Sequence, residues 1–405
     1  MFSYIMKNTI RQKRRSILVV LVNCTLVILL NLYLMLIGSY REQLSDLAAA
    51  SEIKCSICNV NGSMTVGLSI SDRILRALEE SEYVKDLDCS VQLRSGFGDI
   101  ADIREWAEDS QNYNLLASGV NSSKSGTLPS EIRINYMPGW DETLFEGTEK
   151  VCVMKRSVME KYGLAYGDRV DFTLFYYIYG GTDLEVYIEK LGMINVQIVG
   201  EIDDTYVSGS SSILFPFQMI RNEFAERQKD FTADSVSFYI SNPLEINEFK
   251  EQMRSVGLVE INRDSMKSYS GSALYVQDGT FIALASQLAL AIRILTTFFV
   301  PMCILLFVIG YVISYLLCSG RVKEFALMRA LGVKQNGVVS MFCIQQLILV
   351  LCGNVIGDAA VIWIQEGLGA MMAMNGLIFL GYMAGTVIAL LLIAKKAPVQ
   401  LLAME

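Results

Sequence analysis

Apolar and polar positions divide the chain into four long apolar runs and one long mixed stretch. Ile17 to Ile37 holds 21 residues without a charge, which at about 1.5 Å per residue matches the hydrocarbon thickness of a bilayer. Similar runs occur at Ile294–Leu317, Val338–Ile364 and Gly376–Ala394. The pattern predicts transmembrane helices at 17–38, 294–317, 338–364 and 376–394, one before and three after a large insert. Ahead of the first run, Phe2, Ile5, Met6 and Ile10 recur at helical spacing against Lys7, Arg11, Lys13, Arg14 and Arg15. This predicts an interfacial amphipathic helix over 1–16. The first run exceeds a signal-peptide core of about 7–15 residues, so it reads as an anchor.

The insert at 39–271 is long enough to hold its own core, and its periodicity is mixed, predicting an α+β domain of two lobes. Ser71–Glu82 reads as a helix capped by Ser71 with Ile74, Leu75 and Leu78 inward. Lys155–Gly163 reads as a helix stopped by its glycine. Val170–Tyr179, Leu184–Ile188, Ile194–Val199 and Ser235–Ile240 read as strands, with a turn at Gly180-Gly181, and Leu244–Val256 as a helix. Tyr176, Tyr177, Tyr179 and Tyr187 are strand residues on this reading. Residues 272–293, apolar at Leu274, Phe281, Leu284, Leu288 and Ile292, predict a stalk helix entering the second span.

Between the second and third spans, 318–337 contains the run Arg321-Val-Lys-Glu-Phe-Ala-Leu-Met-Arg-Ala-Leu-Gly332. Its residues are strong helix formers and Gly332 is a stop signal, so a short connector helix is expected at the membrane surface. Val322, Phe325, Met328 and Leu331 supply an apolar face. Arg321 precedes Glu324 by three residues, a spacing that allows a surface pair. A link at 365–375 carries only Glu366, and a tail at 395–405 begins with Lys395 and Lys396. Basic residues thus gather at both termini and in the 318–337 loop, which predicts cytoplasmic termini, a multi-pass chain in the cell membrane and an exported insert.

Composition strengthens this picture. Hydrophobic residues make up 52% of 405 positions, with mean hydropathy +0.38, as in a membrane protein. Residues 40–285 hold 22 Lys and Arg against 38 Asp and Glu, a net −16, leaving the remainder at +8. The acidic insert can steer cationic ligands such as basic peptides, or its charge can serve solubility alone. The chain contains no histidine, which removes histidine general bases, Ser-His-Asp and Cys-His systems and imidazole metal sites. The Gly-x-x-x-x-Gly-Lys-Ser/Thr phosphate loop is also missing from the sequence. No catalytic, cofactor or metal residue is assigned, and nothing points to nucleic acid.

A few residues stand out within this frame. Asp358 lies inside an apolar helix, where an acid is expensive. Arg293, at the outer end of the second span, is one candidate partner, and separate contact with headgroups or water is the other reading. Gly353 and Gly357 form a Gly-x-x-x-Gly element that permits close helix approach, within one subunit or between two. Cys55, Cys58, Cys89 and Cys152 are an even external set. They fit two disulfides in any of three pairings, free thiols or, through Cys55-x-x-Cys58, part of a metal site.

The connector resembles the post-second-helix motif of the FtsX/MacB/LolC-like permeases, the type VII ABC transporter family. Tyr4-Ile5-Met6-Lys7-Asn8 with Arg11 to Arg15 resembles the family's N-terminal helix, and Lys395-Lys396-Ala397-Pro398-Val399 with Leu401-Leu402 its C-terminal ending. Lys155–Asp168 resembles part of its external domain. The resemblance implies an α-helical membrane protein with four transmembrane helices, arranged 1+3, and a large α+β extracytoplasmic domain between helices 1 and 2. It also implies a mechanotransmission permease that docks an ABC ATPase subunit and pairs with a second permease copy or paralogue in a lipid membrane. ATP and Mg would then belong to the ATPase. The implied coupling residues are Arg321, Lys323, Glu324, Phe325, Met328, Arg329, Leu331 and Gly332. The function implied is export of an antimicrobial peptide, drug or lipid-linked substrate. The alternative is a regulator of the same architecture that activates an external enzyme such as a cell-wall hydrolase.

Overall fold

A computed structural model describes residues 13–100, 115–129, 132–179, 186–203, 211–265, 272–319, 322–362 and 369–394. Residues 1–12 of the helix expected over 1–16, the Gly180-Gly181 turn, Arg321 and the tail at 395–405 lie outside these residues. Contacts divide the chain into two compact units, Leu47–Ala283 and the remainder.

The first unit is an α/β domain. Its strands are β1 (Lys54–Cys58), β2 (Ile70–Ser71), β3 (Val84–Phe97), β4 (Leu115–Val120), β5 (Arg133–Tyr136) and β6 (Val151–Lys155), followed by β7 (Arg169–Tyr179), β8 (Val186–Asp203), β9 (Ile213–Pro216), β10 (Thr232–Ala233), β11 (Ser235–Ile240) and β12 (Ala273–Val276). Ten strands form one continuous sheet in the order β12-β1-β11-β3-β4-β9-β6-β8-β5, where two lobes were expected. β7 pairs with both β3 and β8. The strands β3-β4-β9-β6-β8-β7 therefore close on themselves, and a closed circuit removes free edges. Leu93, Ala117, Val153, Phe172, Leu174, Val196, Ile198, Ile213 and Phe215 are all buried in this unit.

Its helices follow the local signals with small shifts. Helix α2 (Asp72–Glu79) buries Ile74, Leu75 and Leu78, although the Ser71 side chain makes no capping bond. Helix α3 (Arg156–Tyr162) stops at Gly163, whose φ of +64° is the left-handed conformation glycine adopts without strain. Helices α4 (Phe217–Glu226) and α5 (Ile246–Val256) complete the set. From Val186 on, the two expected strands at 184–188 and 194–199 are one strand, β8, which carries a register shift opposite Leu174/Phe175.

The other unit holds most of α1 (Lys13–Ala50), which runs well past the expected end at residue 38. It is followed by α6 (Gly279–Ser319), α7 (Val322–Ala330), α8 (Gln335–Ile362) and α9 (Gly369–Ala394). Among the described residues three helices are long and apolar enough to cross a membrane, within Ser16–Ala50, Gly279–Ile313 and Gln335–Val361. The fourth run is helical as well, and Tyr382–Leu392 is its described apolar part.

Two further boundaries differ from expectation. The stalk predicted at 272–293 begins instead with β12, which pairs with β1 from Cys55↔Val276 to Cys58↔Ala273. Only after Asp278 does α6 start, and it continues without a break through the predicted second span. The pairing with a strand more than 200 residues earlier in sequence is invisible to local periodicity. The polar link at 365–375 is also shorter than expected, because α9 already begins at Gly369.

Candidate functional site

The connector is built from both ends. At its C-terminus, the Gly332 N–H donates to the Arg329 carbonyl at 3.1 Å and the Val333 N–H to the Met328 carbonyl at 3.2 Å. With Gly332 at φ +88°, this is a Schellman stop. A side chain at Gly332 would meet nothing within 4 Å, so backbone conformation alone demands glycine there.

Packing then selects which side of α7 is held. Phe325 and Ala326 are buried in a cluster with Val338, Phe342 and Leu390, with Met328, Val339 and Cys343 around it. The Phe325 and Phe342 rings lie 6.2 Å apart. The connector is thus seated on the first turns of α8 and on α9. Burying a phenylalanine in this way contributes roughly 2–3 kcal/mol.

The apolar face read from sequence therefore splits. Phe325 and Met328 point into the cluster, whereas Leu331 is 76% exposed, and Leu327, which the sequence reading left out, is 60% exposed. Val333 and Lys334 are exposed beside them, and Glu324 and Arg329 are half-buried. Lys323 lies on α7. Leu327, Leu331 and Val333 with Lys334 are exposed, and Phe325 holds the helix in place from behind.

The second feature is a seam between α1 and α8. The Asn23 side-chain amide donates to the Val350 carbonyl at 2.8 Å and to Asn354 Oδ1 at 2.5 Å. Eight residues along α1, the Asn31 amide donates to Asp358 Oδ1 at 3.3 Å. Between these bonds sit Gly353 and Gly357. A Cβ on Gly353 would lie 3.0 Å from both Asn23 Cβ and the Val20 carbonyl oxygen, and one on Gly357 would lie 3.0 Å from Val27 Cβ. The Gly-x-x-x-Gly element thus packs within the subunit. Asp358, for which Arg293 was one candidate partner, has Asn31 as a hydrogen-bonded neighbour, and Arg293 is exposed on α6. By charge alone the first span is a featureless apolar helix. Two asparagines eight residues apart in an apolar helix were the signal for this face.

Cys55, Cys58, Cys89 and Cys152 are buried free thiols, which fits the thiol reading and not the disulfide one. Cys55 and Cys58 are three residues apart on β1, so their side chains leave opposite faces of the strand. Cys55 and Cys89 are separated by β11, and Cys89 and Cys152 by β4 and β9. At about 4.8 Å per strand these separations exceed the Cα distance of about 7 Å that a disulfide tolerates. Burial pushes the Cys55 thiol up to about 12, with Asp278 adding to the effect. Burial also raises Cys58, Cys89 and Cys152. Thiols held protonated in this way are poor nucleophiles and poor metal ligands.

Much of the charge of the α/β unit is paired. Arg221 bridges Asp72 at 2.5 Å and Glu79 at 2.9 Å. The buried Glu223 carboxylate is held by Lys150 at 2.6 Å and by Arg227. A cleft of about 820 Å³ lined by Asp72, Arg76, Glu79, Gln218, Arg221 and Lys229 is correspondingly mixed in sign.

Long apolar helices before and after a large inserted α/β domain in the chain define a membrane protein with a substantial domain outside the bilayer-spanning segments. The chain is similar to the periplasmic region of MacB from Actinobacillus actinomycetemcomitans, at 8% identity over 60% of this chain and 95% of that one, with a TM-score of 0.30. It is also similar to the extracellular domain of the noncanonic ABC-type transporter YknZ from Gram-positive bacteria, at 14% identity over 56% of this chain and all of that one, with a TM-score of 0.29. No family model and no curated protein matches the sequence.

Proposed function

We propose that the chain is a permease subunit in which α7 receives mechanical work from a separate ABC ATPase and passes it to the inserted α/β domain. The observation that carries this reading is the split of α7 into a seated face, Phe325 and Ala326, and an open apolar face, Leu327 and Leu331. A helix held from behind and ended by a rigid glycine stop can transmit a push, because displacing it must displace α8 and α9. Its open side offers apolar anchors flanked by Lys334, a composition suited to a groove on a partner protein. The connector motif described above adds the ATPase as that partner. ATP and Mg belong to it, and both termini and α7 lie on its side of the membrane.

On this reading four helices span the cell membrane, two permease chains assemble, and the exported domain drives release of an antimicrobial peptide, drug or lipid-linked substrate. The test is ATPase activity of the complex purified on a tagged full-length chain. Leu327→Asp and Leu331→Asp should each lower permease-dependent hydrolysis at least tenfold while membrane insertion is unchanged. Wild-type hydrolysis in both variants would refute the docking role.

A further inference from the structure

The α1–α8 seam has more specificity than helix packing needs. Its two cross-helix bonds at Asn23–Val350 and Asn31–Asp358 share one sequence offset of 327 residues, so the two helices lie in parallel register over at least eight residues. Asn23 and Asn31 are fully buried, and Asn354 nearly so. Sliding α8 by one turn toward its N-terminus would carry Val361 into the place of Gly357, against the Cys24 carbonyl and Val27. Sliding it the other way would carry Leu349 into the place of Gly353, against Val20 and Asn23. Either step sets a bulky side chain where a single Cβ already approaches to 3.0 Å or less. Each also strands buried amides in an apolar setting.

We infer that Asn23, Asn31, Asn354 and Asp358, with Gly353 and Gly357, lock α1 and α8 into one rigid body, making α1 the element that carries movement away from α7. This rests on the proposed coupling role. Phe325 and Ala326 fasten α7 to Val338 and Phe342 of α8, and α8 is keyed to α1 through the seam. Helix α1 then continues unbroken to Ala50, just before β1. Asn23 is a positioning residue in this scheme, and Asp358 acts as a hydrogen-bond acceptor whose charge is not required.

Two cross-linking pairs test the lock in the full-length chain in native membranes, on a Cys24→Ser background. Val27→Cys with Gly357→Cys should oxidise to a disulfide, because their Cβ positions lie 3.0 Å apart before relaxation. Val27→Cys with Val361→Cys, one turn along, should remain reduced, with or without ATP. Comparable cross-linking of the second pair would show a sliding seam and overturn the inference, whatever the ATPase does. In the purified complex, the oxidised 27/357 variant should keep hydrolysis within about twofold of its reduced form. A tenfold loss restored by reductant would equally overturn the lock. Asp358→Asn should preserve coupling and Asp358→Leu should lower it, with the KM for ATP unchanged in both. Absence of permease-dependent hydrolysis from the wild-type complex would instead count against the coupling role, leaving the cross-linking result to decide the lock.

Discussion

Asn23 donates to the backbone carbonyl of Val350 across 2.8 Å, one of the side-chain hydrogen bonds that join two largely apolar helices. A backbone acceptor in a helix is already engaged within its own ladder, so this bond is an additional one. It forms only because Gly353 lets α1 approach. The polar contact and the glycines are one feature.

That dependence gives a stability prediction. Gly353→Ala and Gly357→Ala should each destabilise the detergent-solubilised chain by about 1–3 kcal/mol through overpacking. Gly376→Ala, where an added Cβ would meet nothing within 4 Å, should be neutral or mildly stabilising. Thermal unfolding of the three variants checks the contrast.

The two sides of α7 should separate by readout. Phe325→Ala empties part of a packed cluster and should cost about 3 kcal/mol or more. Leu327→Ala removes an exposed side chain and should change stability by less than about 0.5 kcal/mol. Unfolding curves of both variants, measured without any ATPase present, decide this.

In the α/β unit, Asp234 predicts a pH dependence. Burial raises its carboxyl to about 7, although the Gln92 N–H and the Tyr179 hydroxyl at 3.3 Å both donate to it and pull the other way. Because the folded value lies above the unfolded one of about 3.9, the folded state binds the extra proton. Its contribution is complete below about pH 4 and is lost as pH rises through 7. The span corresponds to something on the order of 4 kcal/mol. Asp234→Asn should therefore raise the melting temperature more at pH 8 than at pH 5, and an equal shift at both would refute the assignment.

Glu223 has the opposite sign. Burial alone would raise its pKa, but Lys150 and Arg227 hold it below the ordinary value. Its contribution is present above the unfolded value and lost as pH falls through the folded one. Glu223→Gln should cost about 3 kcal/mol at pH 7, since two cations lose their buried partner, and the penalty should shrink toward pH 3. Chemical denaturation across that range measures it.

The thiols make a labelling prediction. Cys55, Cys58, Cys89 and Cys152 should resist alkylation in the folded chain and react fully in denaturant without prior reductant. Recovery of any of them as a disulfide after rapid acid quenching would contradict the sheet order.

How far the fold was legible depended on the range of the forces involved. Gly163 and Gly332 ended their helices as read, because a left-handed residue after a helical run is a local matter. Leu274–Val276 looked helical and is a strand, because β1 pairs with it from more than 200 residues away in sequence. In the connector, the residue types were legible and the faces were not. Phe325 is inward and Leu331 outward because Val338, Phe342 and Leu390 cover one side only.

The order of elements was within reach of the sequence alone: long apolar helices, the acidic insert, and a connector with a glycine stop. These follow from transfer free energy and backbone preference, which each segment carries with it. Tertiary structure alone decided that the cysteines stay apart, that Gly353 and Gly357 receive α1, and that Leu327 faces outward where Phe325 does not. Each of these depends on which distant surface arrives opposite a residue, and packing settles that only when the whole chain is in place.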